Sequence, residues 1–200
     1  SIQSVKLTEA LASHGFIVIS PEHTGNTQSS NTYTFNEAAT SRVPDVSFLI
    51  DAMLERSQDT DDMFYNRISE NKVGVIGHSF GGMTALGMAA GWAGAPPDSR
   101  VEAIVPISAV IRAELQEDNR SGEPYAGFSQ QQLATITVPT MLVGATDDTN
   151  VFIENNSIAF SEITNAPRVY QLNIVGANHN HFAGVCDIGS RLIGLGIGQY

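Results

Sequence analysis

Cysteine is almost absent from this chain of 200 residues: Cys186 is alone. A single thiol excludes an internal disulfide, and no Cys/His spacing of the kind that holds zinc accompanies it. Its plain reading is a buried structural side chain. Charge is also scarce. Asp, Glu, Lys and Arg make up 16% of the residues, against about 25% in an average domain, so Ser, Thr, Asn, Gln and Gly must cover much of the surface. Positive charge is scarcest, with 10 Lys and Arg against 21 Asp and Glu and a net charge of −11. That field repels phosphate backbones and disfavours nucleic acid as a partner. No apolar run approaches the roughly 18 residues that a membrane span needs, and no basic amphipathic helix suggests a surface anchor. Few lysines and many Ser, Thr and Asn residues favour a secreted or periplasmic setting.

Apolar residues are 42% of the chain, enough for one globular domain of ordinary size across residues 1–200. Internal repeats and linkers are lacking. Short apolar runs alternate with segments of helical period. "VKLTEALASHG" predicts a helix closed by Gly15, and "GFIVIS" (15–20) a buried strand. Some twenty residues rich in Thr, Asn and Ser follow, a length that marks a functional or mobile loop. "VPDVSFLIDAMLERSQ" predicts a helix with Pro44 near its start. "KVGVIG", "VEAIVPIS", "TMLVG" and "RVYQLNIV" read as further strands, and "GMTALGMAAGWA", "VFIENNSIAFSEI" and "VCDIGSRLIGLGI" as helices. Residues 109–137 are less regular, with room for a short helix. This alternation predicts an α/β fold with a mostly parallel sheet, whose ligands bind at the carboxyl ends of the strands.

Chemistry-bearing residues stand at three of those ends. After "KVGVIG" comes Gly77-His78-Ser79-Phe80-Gly81, a G-x-S-x-G pattern between strand and helix. Such a turn lifts a serine hydroxyl above the sheet in a strained conformation. Gly77 and Gly81 are expected where a side chain would collide across the turn. Ser79 opens the next helix, and the Phe80 N–H is placed to meet a developing oxyanion. A serine needs a base. Asp147 and Asp148 follow "TMLVG", while His179 and His181 follow "RVYQLNIV". The order Ser, acid, His is that of the α/β-hydrolases. Asp148 and His179 are favoured; Asp147 and His181 remain open. His78 is expected to pack beside the turn and Phe182 near the base; His14 and His23 are expected in surface or structural roles, with lining of the pocket open to His23 at the end of the first strand. No metal or cofactor is called for.

"LASHGFIVISPEHTGNT", "GHSFGGMT" and "GANHNHFAG" resemble the platelet-activating-factor acetylhydrolase-like branch of the α/β-hydrolase superfamily. The bacterial cutinase and polyester-hydrolase branch is similar through "LASHGF", the serine turn and "GATDDT". The resemblance spans nearly the whole chain. It implies an α/β-hydrolase fold with helices on both faces of the sheet and cleavage of small or polymeric carboxylic esters, with Ser79 as nucleophile and His179 as base. It departs from the acetylhydrolases at the acid: the position after "VEAIVPIS" holds Ile107 and Ser108, which leaves Asp148 as the cutinase-like acid. Amidase, thioesterase or dienelactone-type hydrolysis by the same triad, and a catalytically silent binding module, are the rival expectations.

The resemblance also implies a strand between "GFIVIS" and "KVGVIG" that this chain does not supply, and whose loop carries the second oxyanion donor. The α/β-hydrolase fold is thus expected here without its N-terminal strands. Each unsatisfied buried backbone group costs about 1–3 kcal/mol, against a typical domain stability of about 5–15 kcal/mol. A preceding segment or a companion chain is expected to complete the sheet.

Overall fold

The structure, a computed structural model, describes residues 4–27, 30–115 and 127–184. The predicted helix over 185–197 and Cys186 lie outside them. Its elements are α1 (Val5–Ser13), α2 (Phe35–Gln58), β1 (Val73–His78), α3 (Phe80–Ala90), β2 (Val101–Ile107), α4 (Gln130–Ala134), β3 (Thr140–Ala145), α5 (Glu154–Glu162) and β4 (Val169–Ile174), with 3₁₀ turns at Ala113–Leu115 and His179–Phe182. The four strands form one parallel sheet in the order β1-β2-β3-β4. β1, β2 and β3 are apolar or near-apolar runs, whereas β4 alternates apolar with amide side chains. Because all four run the same way, the residues after β1, β2, β3 and β4 gather on one rim.

Register decides which side chains share a face. Ile104 pairs with Thr140, and Leu142 with Gln171. On this face Ile104 and Leu142 are buried beneath a layer that includes Leu86 and Met88 of α3 and Ala159 of α5. Trp92, just past α3, anchors that layer, its ring 5.5 Å from Phe80 and 5.8 Å from Phe128. Asn155 on α5 is 1% exposed and carries no charge; its Oδ1 accepts from the backbone N–H groups of Ile111 and Arg112 at 2.8 and 3.1 Å. It thereby satisfies the chain that leaves β2, where a loop would otherwise bury unpaired donors. Arg112 extends the same junction, donating to Glu162 at 2.6 Å. On the opposite face Ile76, Met141, Tyr170 and Leu172 remain exposed among the described residues.

Two expectations change. "GFIVIS" is not a strand: residues 16–20 take no strand conformation among the described residues, and Phe16, Ile17 and Ile19 are exposed. A strand exists only through its neighbour, and among the described residues β1 pairs with β2 alone. The loop after Ser20 is also shorter than expected, because α2 begins at Phe35 rather than near Pro44. Thr34 and Glu37 form a reciprocal cap, the Glu37 N–H donating to Thr34 Oγ1 at 3.2 Å and the Thr34 N–H to Glu37 Oε2 at 2.8 Å. Ala38, Ala39 and Val43 then bury the first turns. Pro44 sits inside the helix; the burial on either side outweighs the hydrogen bond it removes.

Candidate active site

Ser79 lies between the last residue of β1 and the first of α3, with φ +58° and ψ −118°. A non-glycine residue there stores strain of about 1–3 kcal/mol, held only where the surroundings fix it. Three contacts do so. The Ser79 N–H donates to Ile107 O on β2 at 2.8 Å, and Ser79 O accepts from the Met83 N–H at 3.1 Å. Behind them, Gly77 faces the backbone of Gly81, so closely that a Cβ on Gly77 would stand 2.1 Å from Gly81 O. Gly81 itself departs from expectation, since a Cβ there would meet nothing within 4 Å. The tight approach falls instead on Gly77 and on Gly82, where a Cβ would come within 2.8 Å of Ile107 O. Phe80, as the first residue of α3, has a backbone N–H without an intrahelical acceptor.

Asp148 follows β3 and is 3% exposed. Its Oδ1 accepts from the N–H groups of Asn150 and Val151 at 2.9 and 2.8 Å. Its Oδ2 accepts from His179 Nδ1 at 2.8 Å. Burial pulls its pKa upward, but the bonds from His179, Val151 and Asn150 prevail and hold it below the ordinary carboxylate value. Asp147, by contrast, is exposed and accepts from the Thr146 hydroxyl at 2.9 Å. His181 is exposed too and closes a cap with Asn178, accepting at Nδ1 from the Asn178 N–H at 3.0 Å. The structure thus brings Asp148 and His179 together and leaves Asp147 and His181 facing outward.

His179 and Ser79 border the same cleft, of about 1020 Å³. Among the described residues no hydrogen bond joins the Ser79 hydroxyl to either histidine; such contacts are often long before substrate binds. The ring of His78 lies 4.4 Å from that of His179 and 5.8 Å from that of Phe182. Burial, then the charge that His179 can carry, push the His78 pKa down to about 4. His78 is therefore neutral at pH 7 and adds no repulsion to an imidazolium at His179. His23 takes both roles open to it: it lines the cleft, and its Nδ1 donates to Asp45 Oδ2 at 2.6 Å. Residues that sequence reasoning missed are Arg42 and Asn26, which also line the cleft. The Arg42 guanidinium donates to Asn26 Oδ1 and lies 4.1 Å from the Phe80 ring centroid. Only the extension of α2 back to Phe35 puts Arg42 on a helix next to Phe80. Among the described residues no cluster of His, Cys, Asp and Glu could hold a metal ion, and no helix is long and apolar enough to cross a membrane.

A parallel sheet with serine, carboxylate and imidazole after β1, β3 and β4 on one rim defines the fold of an α/β-hydrolase. The solved esterase Pf2001 of Pyrococcus furiosus superposes with a TM-score of 0.65 at 16% identity, over 98% of this chain and 74% of that one. The acylaminoacyl peptidase of Pyrococcus horikoshii gives 0.58 at 13% identity, over 78% and 27%. Within that class the chain belongs to the PET hydrolase-like family, whose model matches residues 3–194. It is also 29% identical over 175 residues to cutinase est2 of Thermobifida alba, covering 86% of this chain and 46% of that protein. The chain thus spans about half the length of this curated relative.

Proposed function

We propose that the chain carries the catalytic site of a carboxylic-ester hydrolase with Ser79, His179 and Asp148 as its triad. One observation carries this reading: a buried, ionised Asp148 bonded to His179 Nδ1 at 2.8 Å, on the cleft that also exposes the strained Ser79. Membership of the PET hydrolase-like family and likeness to a cutinase support the substrate class.

The reaction is acyl transfer to water. His179 Nε2 takes the proton of Ser79 as its oxygen attacks the ester carbonyl. Asp148 holds the tautomer that leaves Nε2 free and stabilises the imidazolium. The Phe80 N–H donates to the oxyanion. His179 then protonates the departing alcohol, and water, deprotonated by the same imidazole, releases the acid and restores Ser79. A fluorophosphonate probe tests the assignment on the intact protein: a single adduct on Ser79, absent after denaturation, is expected. An unlabelled Ser79 in folded protein would turn the reading toward a silent binding module.

The outer edge of β1 belongs to the same proposal. Among the described residues it has no strand partner, and the cleft runs along it from Lys72 to Ser79, with residues 15–21 as the far wall. We assign that slot to an added strand of the same polypeptide, whose end beside Ser79 supplies the second oxyanion donor. Unpaired N–H and C=O groups along a strand edge recruit such a partner. Hydrogen exchange reads it: the β1 amides that do not bond to β2 are expected to be protected in the intact protein. Exchange at loop-like rates would exclude the strand.

A further inference from the structure

The sheet has two edges, and they differ. Outside β1 lies the slot walled by residues 15–21, assigned above to an added strand. β4 is the other edge. Among the described residues it pairs with β3 alone. The side chains of Tyr170, Leu172 and Ile174 are exposed, and that of Val175, just past the strand, is 87% exposed. The Thr140 N–H donates to Arg168 O at 3.0 Å, and the Thr146 N–H to Ile174 O at 3.1 Å. In a parallel ladder alternate residues face the same neighbour, so the even-numbered residues of this segment bond to β3. The N–H and C=O groups of Val169, Gln171, Asn173 and Val175 therefore point outward.

Strand edges are usually blunted by a lysine, a proline, a bulge or an inward charge. Residues 169–175, "VYQLNIV", have neither charge nor proline, in a chain with 21 acidic and 10 basic residues. Their register with β3 runs without a shift, whereas β1 shifts against β2 between Val73 and Gly74. The segment is also complementary to itself. Turned about a two-fold axis at Leu172, it pairs residue 171 with 173 and 169 with 175, so that each outward N–H and C=O finds a partner. Leu172 then faces Leu172, and Tyr170 faces Ile174, an aromatic and β-branched pair of the kind that stabilises neighbouring strands. The ends match in charge. The exposed Arg168 comes beside Gly176 of the second copy, near the exposed Asp147, whose N–H donates to Ala177 O. Two copies with a net charge of −11 each repel elsewhere, which leaves this uncharged strip as a place of approach.

We propose that two copies of this chain associate by antiparallel pairing of β4 with β4, which joins their sheets into one. β1 is the far edge of each sheet, so the pairing leaves the slot beside β1 to its own strand. Antiparallel strands end in opposite directions, so the two rims that carry Ser79 face opposite ways and each cleft opens on its own side. An interface confined to one strand is small, and the dimer belongs to the weak class that forms at micromolar concentration. The pairing holds or fails independently of the hydrolase reading.

Sedimentation velocity on the intact protein from about 1 to about 200 μM should show a monomer–dimer equilibrium. Leu172→Lys sets two ammonium groups against each other across the axis and should raise the dimer dissociation constant by about tenfold or more. Val175→Pro removes an outward N–H and no bond to β3; it should weaken the dimer with the far-UV circular dichroism unchanged. Crosslinking in a Cys186→Ser background reads the register. The two Leu172 Cα atoms would stand about 4.5 Å apart, within disulfide reach, and the two Tyr170 Cα atoms about 13 Å apart. Mild oxidation should therefore give a covalent dimer of Leu172→Cys and none of Tyr170→Cys. A wild type that stays monomeric over the whole range would overturn the proposal, whether the edge is bare or covered by the rest of the polypeptide. So would a dimer indifferent to both Leu172→Lys and Val175→Pro, or equal crosslinking at positions 170 and 172.

Discussion

Ser79→Ala is expected to lower kcat for ester hydrolysis by about 10⁴–10⁶-fold, with the fold unchanged. The side chain contributes no hydrogen bond that holds the turn: the contacts fixing residue 79 run through its own N–H and carbonyl, to Ile107 O and from the Met83 N–H. Alanine tolerates φ +58° no better than serine, so strain is not released and the melting temperature should stay within a few degrees. Asp148→Asn separates the electrostatic part of the reading from the positional one. An amide at that site can still accept from Asn150 and Val151, yet it offers His179 a donor or a weaker acceptor and disturbs the tautomer. A loss of about 10⁴-fold is expected, against less than about threefold for the exposed Asp147→Asn. Steady-state kinetics on one neutral ester measures all three variants. Equal losses at 147 and 148 would remove Asp148 from the triad, and an active Ser79→Ala would remove the mechanism.

The pH dependence of stability follows from the same pair. The Asp148 pKa is lower in the fold than in the open chain. Its contribution is therefore complete above the unfolded carboxylate value of about 3.9. It is lost as pH falls through the lower folded value. Asp98 behaves likewise, its carboxylate bonded to Arg100 at 2.6 Å and its pKa lowered to about 2. Both therefore withdraw support in acid. Unfolding followed by circular dichroism should therefore set in on the acid side, as pH falls through the lowered Asp148 and Asp98 values.

What was legible in the sequence is what each segment settles alone. The four strands were legible because each is a short run dominated by apolar residues with a turn after it. The rim was legible because parallel strands place their carboxyl ends side by side, so Ser79, Asp148 and His179 could be aligned by counting strands. What depends on a partner was not. "GFIVIS" has the composition of a strand, and only a neighbouring ladder would make it one. The start of α2 was hidden by Thr and Asn residues that read as loop, although Thr34 and Glu37 carry the S/T-x-x-E spacing of a cap. With that helix start missed, Arg42 lay outside the predicted helix and its approach to Phe80 went unseen.

The second large effect lies at the motif's glycines, which the pattern treats as equivalent and the structure does not. A Cβ on Gly77 would stand 2.1 Å from Gly81 O, 2.3 Å from its carbonyl carbon and 2.9 Å from its Cα. All three are backbone atoms, and they cannot swing aside as a flexible side chain can. Relief requires β1 and α3 to part, which would break the Ser79 N–H bond to Ile107 O and open the layer around Leu86 and Met88. Gly77→Ala should therefore cost more than about 4–5 kcal/mol, the range reserved for severe overpacking or strain, a large share of a typical domain's stability of about 5–15 kcal/mol. Thermal or urea unfolding should show a lost or much weakened transition, and the Ser79 adduct should vanish with it. Gly81→Ala meets open space, has no positive φ, and lies in the first turn of α3. Alanine is a better helix former there by up to about 1 kcal/mol, so this variant should be as stable as the wild type or more so. If the two alanines cost the same, the close approach of Gly77 to Gly81 is not what holds the serine in its strained turn.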